Sequence, residues 1–97
     1  MPTYISLLNY TEQGIKNIKE SPARLDAARD LFKTLGAELK AFYLVSGEYD
    51  AVCITEAPDG DTLAKVMLTL GSKGNVRTKT FRAFTEDEFR KIVSSLH

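Results

Sequence analysis

Apolar residues recur along this 97-residue chain with two alternating periods, and the change between them predicts the secondary structure. Residues 3–10, TYISLLNY, combine β-branched, aromatic and aliphatic side chains, which is typical of a strand. A short helical turn follows in residues 11–20. From Ser21-Pro22 onward, apolar residues recur every three or four positions until Gly36, which predicts an amphipathic helix with Ser21 as its N-cap.

The second half of the chain repeats this alternation. Its predicted elements are strands at 37–46 and 49–57, a helix at 59–70 stopped by Gly71, a strand at 75–84 and a last helix opened by a Thr85–Glu88 capping box. Gly47-Glu48 between the two strands indicates a two-residue type II′ turn. Two β-α-β halves predict one α+β, ferredoxin-like βαββαβ domain over residues 1–97. Its four-stranded antiparallel sheet has a short extra helix after the first strand and a C-terminal helix.

The predicted hairpin register leaves both faces of the sheet mostly apolar. One face carries Tyr49, Ala51 and Cys53 opposite Ser46, Leu44 and Phe42, and the other carries Asp50, Val52 and Ile54 opposite Val45, Tyr43 and Ala41. Two helices cover only one face, so the other needs a partner subunit packed sheet to sheet, the C-terminal helix, or an apolar ligand. A two-fold homo-oligomer is the commonest of these solutions.

Composition removes several classes of function. The chain has 13 basic and 13 acidic residues and a pI near 6.6, so nucleic acid is not an expected partner. No long apolar run or signal-like N-terminus is visible, which predicts a cytosolic protein without a membrane partner. A single cysteine, Cys53, and a single histidine, His97, exclude an intrachain disulfide and a zinc site, and no cofactor is expected. Within a strand, Cys53 is expected to be a small buried apolar residue.

Three separated blocks, TEQGIKNIKES, GEYD and GNVRTKTFRAF, resemble the GYD-domain family of small bacterial and archaeal proteins. The resemblance runs from Tyr4 to about Val93. That family is similar to the dimeric α/β-barrel proteins, so the resemblance implies ferredoxin-like subunits that pair their sheets. It is known chiefly as a domain of unknown function, and the resemblance therefore implies no catalytic residue. The positions that match its motifs are Gly47, Tyr49, Asp50 and residues 74–78.

The candidate ligand-binding residues are Tyr10, Tyr43, Tyr49, Asp50 and Arg77, and Asp50 is also the candidate catalytic residue. Asp50 acts as a general base if its apolar neighbours disfavour the charged carboxylate, or else it is a structural hydrogen-bond acceptor at the turn or at a subunit contact. We expect strands two and four to run in the same direction, which places Asp50 and Arg77 at opposite ends of the sheet.

Basic residues near the last strand allow two interpretations. Lys73, Arg77, Lys79 and Arg82 either gather an anion or form a solvated sheet edge, and strand alternation separates Arg82 from Arg77 and Lys79.

These features predict a small oligomeric protein that binds a small organic molecule or serves as an interaction module. The alternative is a cofactor-free enzyme of the dimeric α/β-barrel type, a monooxygenase or an isomerase. A further alternative is a tautomerase that uses Pro2 as an N-terminal base, once Met1 is removed.

Overall fold

Four strands form one antiparallel sheet in the order β2-β3-β1-β4, in a computed structural model that describes residues 1–97. The strands are β1 (Thr3–Tyr10), β2 (Glu38–Leu44), β3 (Ala51–Glu56) and β4 (Val76–Ala83). The helices are α1 (Glu12–Lys16), α2 (Ser21–Thr34), α3 (Gly60–Ser72) and α4 (Glu86–Ser94), and a 3₁₀ turn spans Ile18–Glu20. The predicted ferredoxin-like βαββαβ fold with two extra helices is confirmed.

The core lies between the helices and one face of the sheet. Phe32 of α2 and Val66 of α3 are almost fully buried, at 2% and 0% exposure. They pack with buried strand residues on alternate positions, including Leu8, Ala51 and Cys53. Because side chains alternate along a strand, the neighbouring positions of β1 and β3 point to the opposite, open face of the sheet.

The start of α2 differs from the prediction. Ser21 is the first residue of the helix and Glu20 is its N-cap, with no side-chain cap. The reason is that the 3₁₀ turn runs directly into α2, so Glu20 already has helical dihedral angles. The Ser21 hydroxyl is therefore not a cap and instead lies 3.0 Å from the hydroxyl of Tyr10.

The end of α3 also differs from the prediction. Asp59 caps its start by accepting a hydrogen bond from the Thr62 N–H at 2.7 Å, which holds the pKa of Asp59 below its ordinary value. Gly71 does not stop the helix, which continues to Ser72. The reversal comes at Gly74, whose positive φ of 79° suits glycine.

The β2–β3 connection is longer than predicted, although the predicted pairing of Leu44 with Ala51 and of Phe42 with Cys53 is confirmed. Regular pairing stops at Leu44 and Ala51, and one further bond, from the Val45 N–H to the Asp50 carbonyl at 2.9 Å, closes the loop. The predicted two-residue type II′ turn is therefore wrong. Glycine is still required, because Gly47 has a φ of 122°.

The expected direction of the edge strands is wrong. Every neighbouring pair of strands is antiparallel, so β2 is parallel to β1 and β4 is antiparallel to β1. The two edge strands, β2 and β4, therefore run in opposite directions. The end of β2 and the start of β4 consequently lie at the same end of the sheet. We call this the hairpin end of the sheet, because it carries the β2–β3 loop.

Candidate functional site

The three sequence blocks that carry the family resemblance meet at the hairpin end. Thr11 donates its backbone N–H to the Asn75 carbonyl at 3.0 Å and its hydroxyl to the Gly74 carbonyl at 2.6 Å. The Gln13 amide donates to the side-chain oxygen of Asn75 at 3.0 Å. These contacts fasten the segment after β1 to the turn that precedes β4.

Gly14 is required by the same contact. A Cβ atom at this position would overlap the carbonyl oxygen of Asn75, which is backbone and has no freedom to rotate away. Close approach of two backbone segments is one of the roles that only glycine fills. The glycine inside α1 therefore serves packing, in agreement with the predicted short helical turn.

Asp50 completes the sheet at this end. Its backbone N–H donates to the Leu8 carbonyl at 2.9 Å, and its carboxylate Oδ2 accepts from the Tyr10 N–H at 2.9 Å. Because β3 has no residue opposite Tyr10 in the ladder, the side chain supplies the acceptor that a strand backbone would otherwise provide. This contact is the kind that the structural interpretation of Asp50 requires.

The five candidate ligand-binding residues do not form one site. Tyr10 shares a face with Leu8 and lies on the helix side of the sheet, where it lines a cavity. Tyr43 pairs with Val52 and Arg77 pairs with Asn9, which places Tyr43 and Arg77 on the open face. The sheet itself separates Tyr10 from the open face.

The predicted face of Tyr49 is wrong. Its hydroxyl lies 3.4 Å from the Nζ of Lys79, which shares the open face with its strand partner Leu7. The Lys79 ammonium also lies 5.7 Å from the centre of the Tyr49 ring, within the range of a cation–π contact. Tyr49 turns away from the helix side because it belongs to the loop and is free of strand alternation.

The last strand separates its basic residues as predicted. Arg82 lies on the helix side of β4 and its guanidinium sits 4.3 Å from the centre of the Phe84 ring. It also pairs with Glu88 at 3.5 Å, whereas Arg77 and Lys79 point to the open face. Asp50 and Arg77 stand at the same end but form no ion pair, because β1 lies between their strands.

The open face is mostly apolar, and no helix covers it. Its central positions are Leu7 and Val52, flanked on the outer strands by Tyr43 at 59% exposure and Phe81 at 53% exposure. The helix α4 leaves this face open and exposes its own apolar side as well. The exposed residues of that side and of the segment after it are Phe89, Ile92, Val93 and Leu96. Exposed apolar surfaces of this kind are typical of interaction sites.

On the opposite side of the sheet, a cavity of about 130 Å³ lies between α2, α3 and the strands. Its lining includes Leu8, Leu25, Phe32, Phe42 and Cys53. Burial raises the pKa of the Cys53 thiol to about 11, and the positive charge of Arg29 opposes that shift. Cys53 is therefore a neutral, buried thiol at physiological pH.

Sequence reasoning missed the polar residues around this cavity, Ser21, Arg24, Lys73 and Asn75, as members of one site. One signal was present in the sequence. Arg24 lies four residues before Ala28, so a charged residue occupies the apolar stripe of α2.

A sheet of this order with helices on one face defines a ferredoxin-like α+β protein. The chain belongs to the GYD domain family, whose model matches residues 4–93. Among its relatives, a Thermus thermophilus protein named glutamine synthetase and cystathionine beta-lyase binding protein is 38% identical over 84 residues. The match covers 86% of this chain and 88% of the relative.

Solved structures share the fold. A feast or famine regulatory protein from M. tuberculosis, solved with L-methionine, has a TM-score of 0.67 at 16% identity and is matched over 88% of this chain. The chain spans about half, 51%, of that regulator, and at this identity the likeness shows the fold alone. A crystal structure from Thermus thermophilus is 25% identical with a TM-score of 0.55, over 88% of this chain and 95% of its own length.

Two further observations bear on the class of protein. No helix in the structure has the length and apolarity needed to cross a membrane. No group of three or more His, Cys, Asp or Glu side chains is arranged to hold a metal ion.

Proposed function

We propose that this protein is a self-associating interaction module. It pairs with a second copy through the open face of its sheet, and the assembled module binds a partner protein. The observation that carries the proposal is the uncovered apolar face around Leu7 and Val52, which has Tyr43 and Phe81 more than half exposed on either side. Burying such a face removes apolar area from water and stabilises association.

A second copy is the occupant that suits this face best. A two-fold arrangement places two identical apolar sheets against each other, so each covers what the other exposes. The charged residues Arg77 and Lys79 lie on β4, at the rim of the face, where they remain in contact with water. An apolar centre with a charged rim is the usual anatomy of a protein interface.

The proposed partner is an enzyme of the kind named for the relative. That relative is described as a binding protein of glutamine synthetase and cystathionine beta-lyase, and it matches this chain over nearly its whole length. We therefore extend protein binding, and these two enzymes as its first candidates, to the present chain.

The enzyme alternative has less support from the geometry. The Asp50 carboxylate is engaged by the Tyr10 N–H, and the four other candidate residues are divided between the two faces of the sheet. Pro2 lies at the other end of β1, where its carbonyl accepts from Ala57 at 3.1 Å. Neither candidate base, Asp50 or Pro2, therefore forms a hydrogen bond with the side chain of a second candidate residue.

The test is the mass of the purified protein in solution, measured by light scattering after size-exclusion chromatography. We expect at least twice the 10.8 kDa of one chain. The variant Phe81→Glu places a charge in the open face and should give a monomer. The control Leu68→Glu adds the same charge at a residue of α3 that is 74% exposed, and should keep the wild-type mass.

Binding to a partner is measured separately. Glutamine synthetase and cystathionine beta-lyase from the same organism as this chain are immobilised, and binding of the wild-type protein and of both variants is followed by biolayer interferometry. Wild-type protein and Leu68→Glu should bind at least one of the enzymes. A wild-type monomer that binds neither enzyme contradicts both parts of the proposal.

A further inference from the structure

The cavity between the helices and the sheet has an apolar interior. Phe32, Leu39, Ala51 and Cys53 line it from α2, β2 and β3, and each of them is less than 10% exposed. Its volume of about 130 Å³ is close to that of an engineered apolar cavity of about 150 Å³ that binds benzene. The interior therefore suits a single ring or a short branched hydrocarbon.

Polar residues are confined to one end of this cavity by the topology. Tyr10 ends β1, Ser21 and Arg24 belong to the first turn of α2, Lys73 follows α3, and Asn75 precedes β4. All of these chain positions lie at the hairpin end, because β1 runs towards that end and β4 runs away from it. The cavity thus has an apolar interior and a polar mouth.

The mouth carries two positive charges and no negative one. Arg24 and Lys73 are the only charged residues of the lining. Lys73 forms no ion pair. Arg24 has a long contact of 3.8 Å to Glu20, whose side chain is 74% exposed, and its guanidinium also donates to the backbone carbonyls of Asn17 at 3.0 Å and Gly14 at 3.5 Å. The exposed pair is weak, and the two carbonyls occupy only part of the N–H donors of the guanidinium without neutralising its charge. Arg24 and Lys73 therefore both keep donors and a positive charge for an anion.

We propose that this cavity binds a small carboxylic acid in its anionic form. Its apolar group, of about the size of a benzene ring, occupies the interior, and its carboxylate meets Arg24 and Lys73 at the mouth. The hydroxyls of Tyr10 and Ser21 are hydrogen-bonded to each other at 3.0 Å, which leaves one further O–H of the pair to donate to the carboxylate. Burial of the apolar group gives affinity, and the charge-assisted hydrogen bonds select an acid over a neutral molecule.

This site is independent of the proposed self-association. The cavity lies on the helix side of the sheet and the proposed subunit contact lies on the open side, so neither one requires the other. A failure of one proposal is therefore distinguishable from a failure of the other.

The test compares three probes of similar size and different charge: phenylacetate, its neutral amide phenylacetamide, and the cation phenethylamine. Each is titrated into the full chain by isothermal calorimetry, with the cross-peaks of Ala51 and Cys53 followed by NMR. We expect phenylacetate to bind at least tenfold more tightly than the amide, and the amine to bind least. The Ala51 and Cys53 resonances should shift on binding.

Two sets of variants locate the site. The double variant Arg24→Gln and Lys73→Gln leaves the buried core unchanged and should weaken phenylacetate at least tenfold, to the affinity of the amide. Lys33→Gln removes an exposed charge from the same helix and should have no effect. Ala28→Leu fills the cavity and should weaken both the acid and the amide at least tenfold, whereas Ala23→Leu, on the exposed side of α2, should weaken neither.

Three results overturn the proposal. If none of the three probes binds at millimolar concentration, the cavity is not a ligand-binding site. Equal affinities for phenylacetate and phenylacetamide, or an unchanged acid affinity in the double glutamine variant, remove the role of the two cations. Acid binding that a folded Ala28→Leu variant retains at full strength places the ligand outside the cavity.

Discussion

Asp50 shows how a single polar residue at the hairpin end serves the fold. Its carboxylate accepts the Tyr10 N–H, while the neighbouring Tyr49 extends over the open face to Lys79. A buried or half-buried N–H without an acceptor costs about 1 to 3 kcal/mol, so this carboxylate stabilises the end of the sheet. The neighbouring residues Tyr49 and Asp50 therefore make different contacts: Asp50 with the backbone of β1 and Tyr49 with Lys79 on the open face.

Cys53 gives a prediction about pH. Burial raises the pKa of its thiol from 9.0 to about 11. Well below pH 9 the thiol is neutral in both the folded and the unfolded chain, so it does not change the free energy of unfolding with pH. As the pH rises further, the unfolded chain ionises first, and stability falls until the folded pKa is passed.

We expect the free energy of unfolding to fall by about 1.4 kcal/mol at about pH 10 on account of this one thiol, since one pKa unit corresponds to about 1.36 kcal/mol. Urea unfolding at about pH 8 and about pH 10 measures the loss. The variant Cys53→Ala retains every other titrating group. Its free energy of unfolding should therefore fall by about 1.4 kcal/mol less than that of the wild type between the two pH values. Equal losses in the two proteins would contradict the burial of the thiol.

At the scale of elements, α1 follows β1 and packs against the turn that precedes β4. The absence of a side chain at Gly14 allows these two backbone segments to come into contact. Gly14→Ala should lower the free energy of unfolding by about 1 to 3 kcal/mol, because the new methyl group meets the fixed Asn75 carbonyl. Thermal unfolding followed by circular dichroism is the measurement.

The matched control is Gly71→Ala, in the last turn of α3, where an added Cβ meets nothing within 4 Å. Alanine is favoured over glycine inside a helix by about 1 kcal/mol, so this variant should be as stable as the wild type or more so. If Gly14→Ala is as stable as Gly71→Ala, the close contact between α1 and the turn before β4 is wrong.

Local sequence signals predicted the elements whose causes are local. The β1 range and the Thr85–Glu88 capping box of α4 are both confirmed, because strand propensity and capping depend on adjacent residues. The start of α2, the stop of α3 and the length of the β2–β3 loop were wrong. The start of α2 is set by the 3₁₀ turn that runs directly into it, the end of α3 comes before the positive φ of Gly74, and the loop is closed by the bond from Val45 to Asp50. The pattern of apolar residues carries no signal for these backbone conformations.

The candidate site was less predictable than the fold because its residues are brought together from separate parts of the chain. Tyr10 was selected from the sequence, but most of its neighbours in the cavity come from five other elements, α2, β2, β3, α3 and β4, and are distant along the chain. The direction of β4 relative to β2 was mistaken, and with it the position of Arg77 relative to Asp50. The periodic pattern of a strand predicts which face of the sheet a residue lies on. Which residues lie at the same end of the sheet depends on the directions of the strands, which the pattern does not give.

At the scale of the whole molecule, the open face and α4 form two uncovered apolar surfaces on an elongated body of 52 × 31 × 17 Å. Four strands about 4.8 Å apart and about seven residues long give a face of about 460 Å² in outline, a little over half of the roughly 800 Å² per partner that a standard interface buries. If the protein is a dimer, the sheet alone is therefore a small interface. We infer that the apolar side of α4 adds to it.

The combined substitution Phe89→Ser and Ile92→Ser tests this contribution, since these two side chains are 58% and 44% exposed in one chain. Full burial of such a side chain contributes about 1.5 to 3 kcal/mol, and about half of each is still exposed in one chain, so the loss of both should raise the dimer dissociation constant at least tenfold. Sedimentation equilibrium measures the constant, and Lys91→Ser, also exposed on α4, is the control that should leave it unchanged. Because α4 has no buried residue in one chain, the unfolding temperature of the separated monomers should change little. An unchanged dissociation constant would instead leave α4 outside the dimer contact and free to bind a different protein.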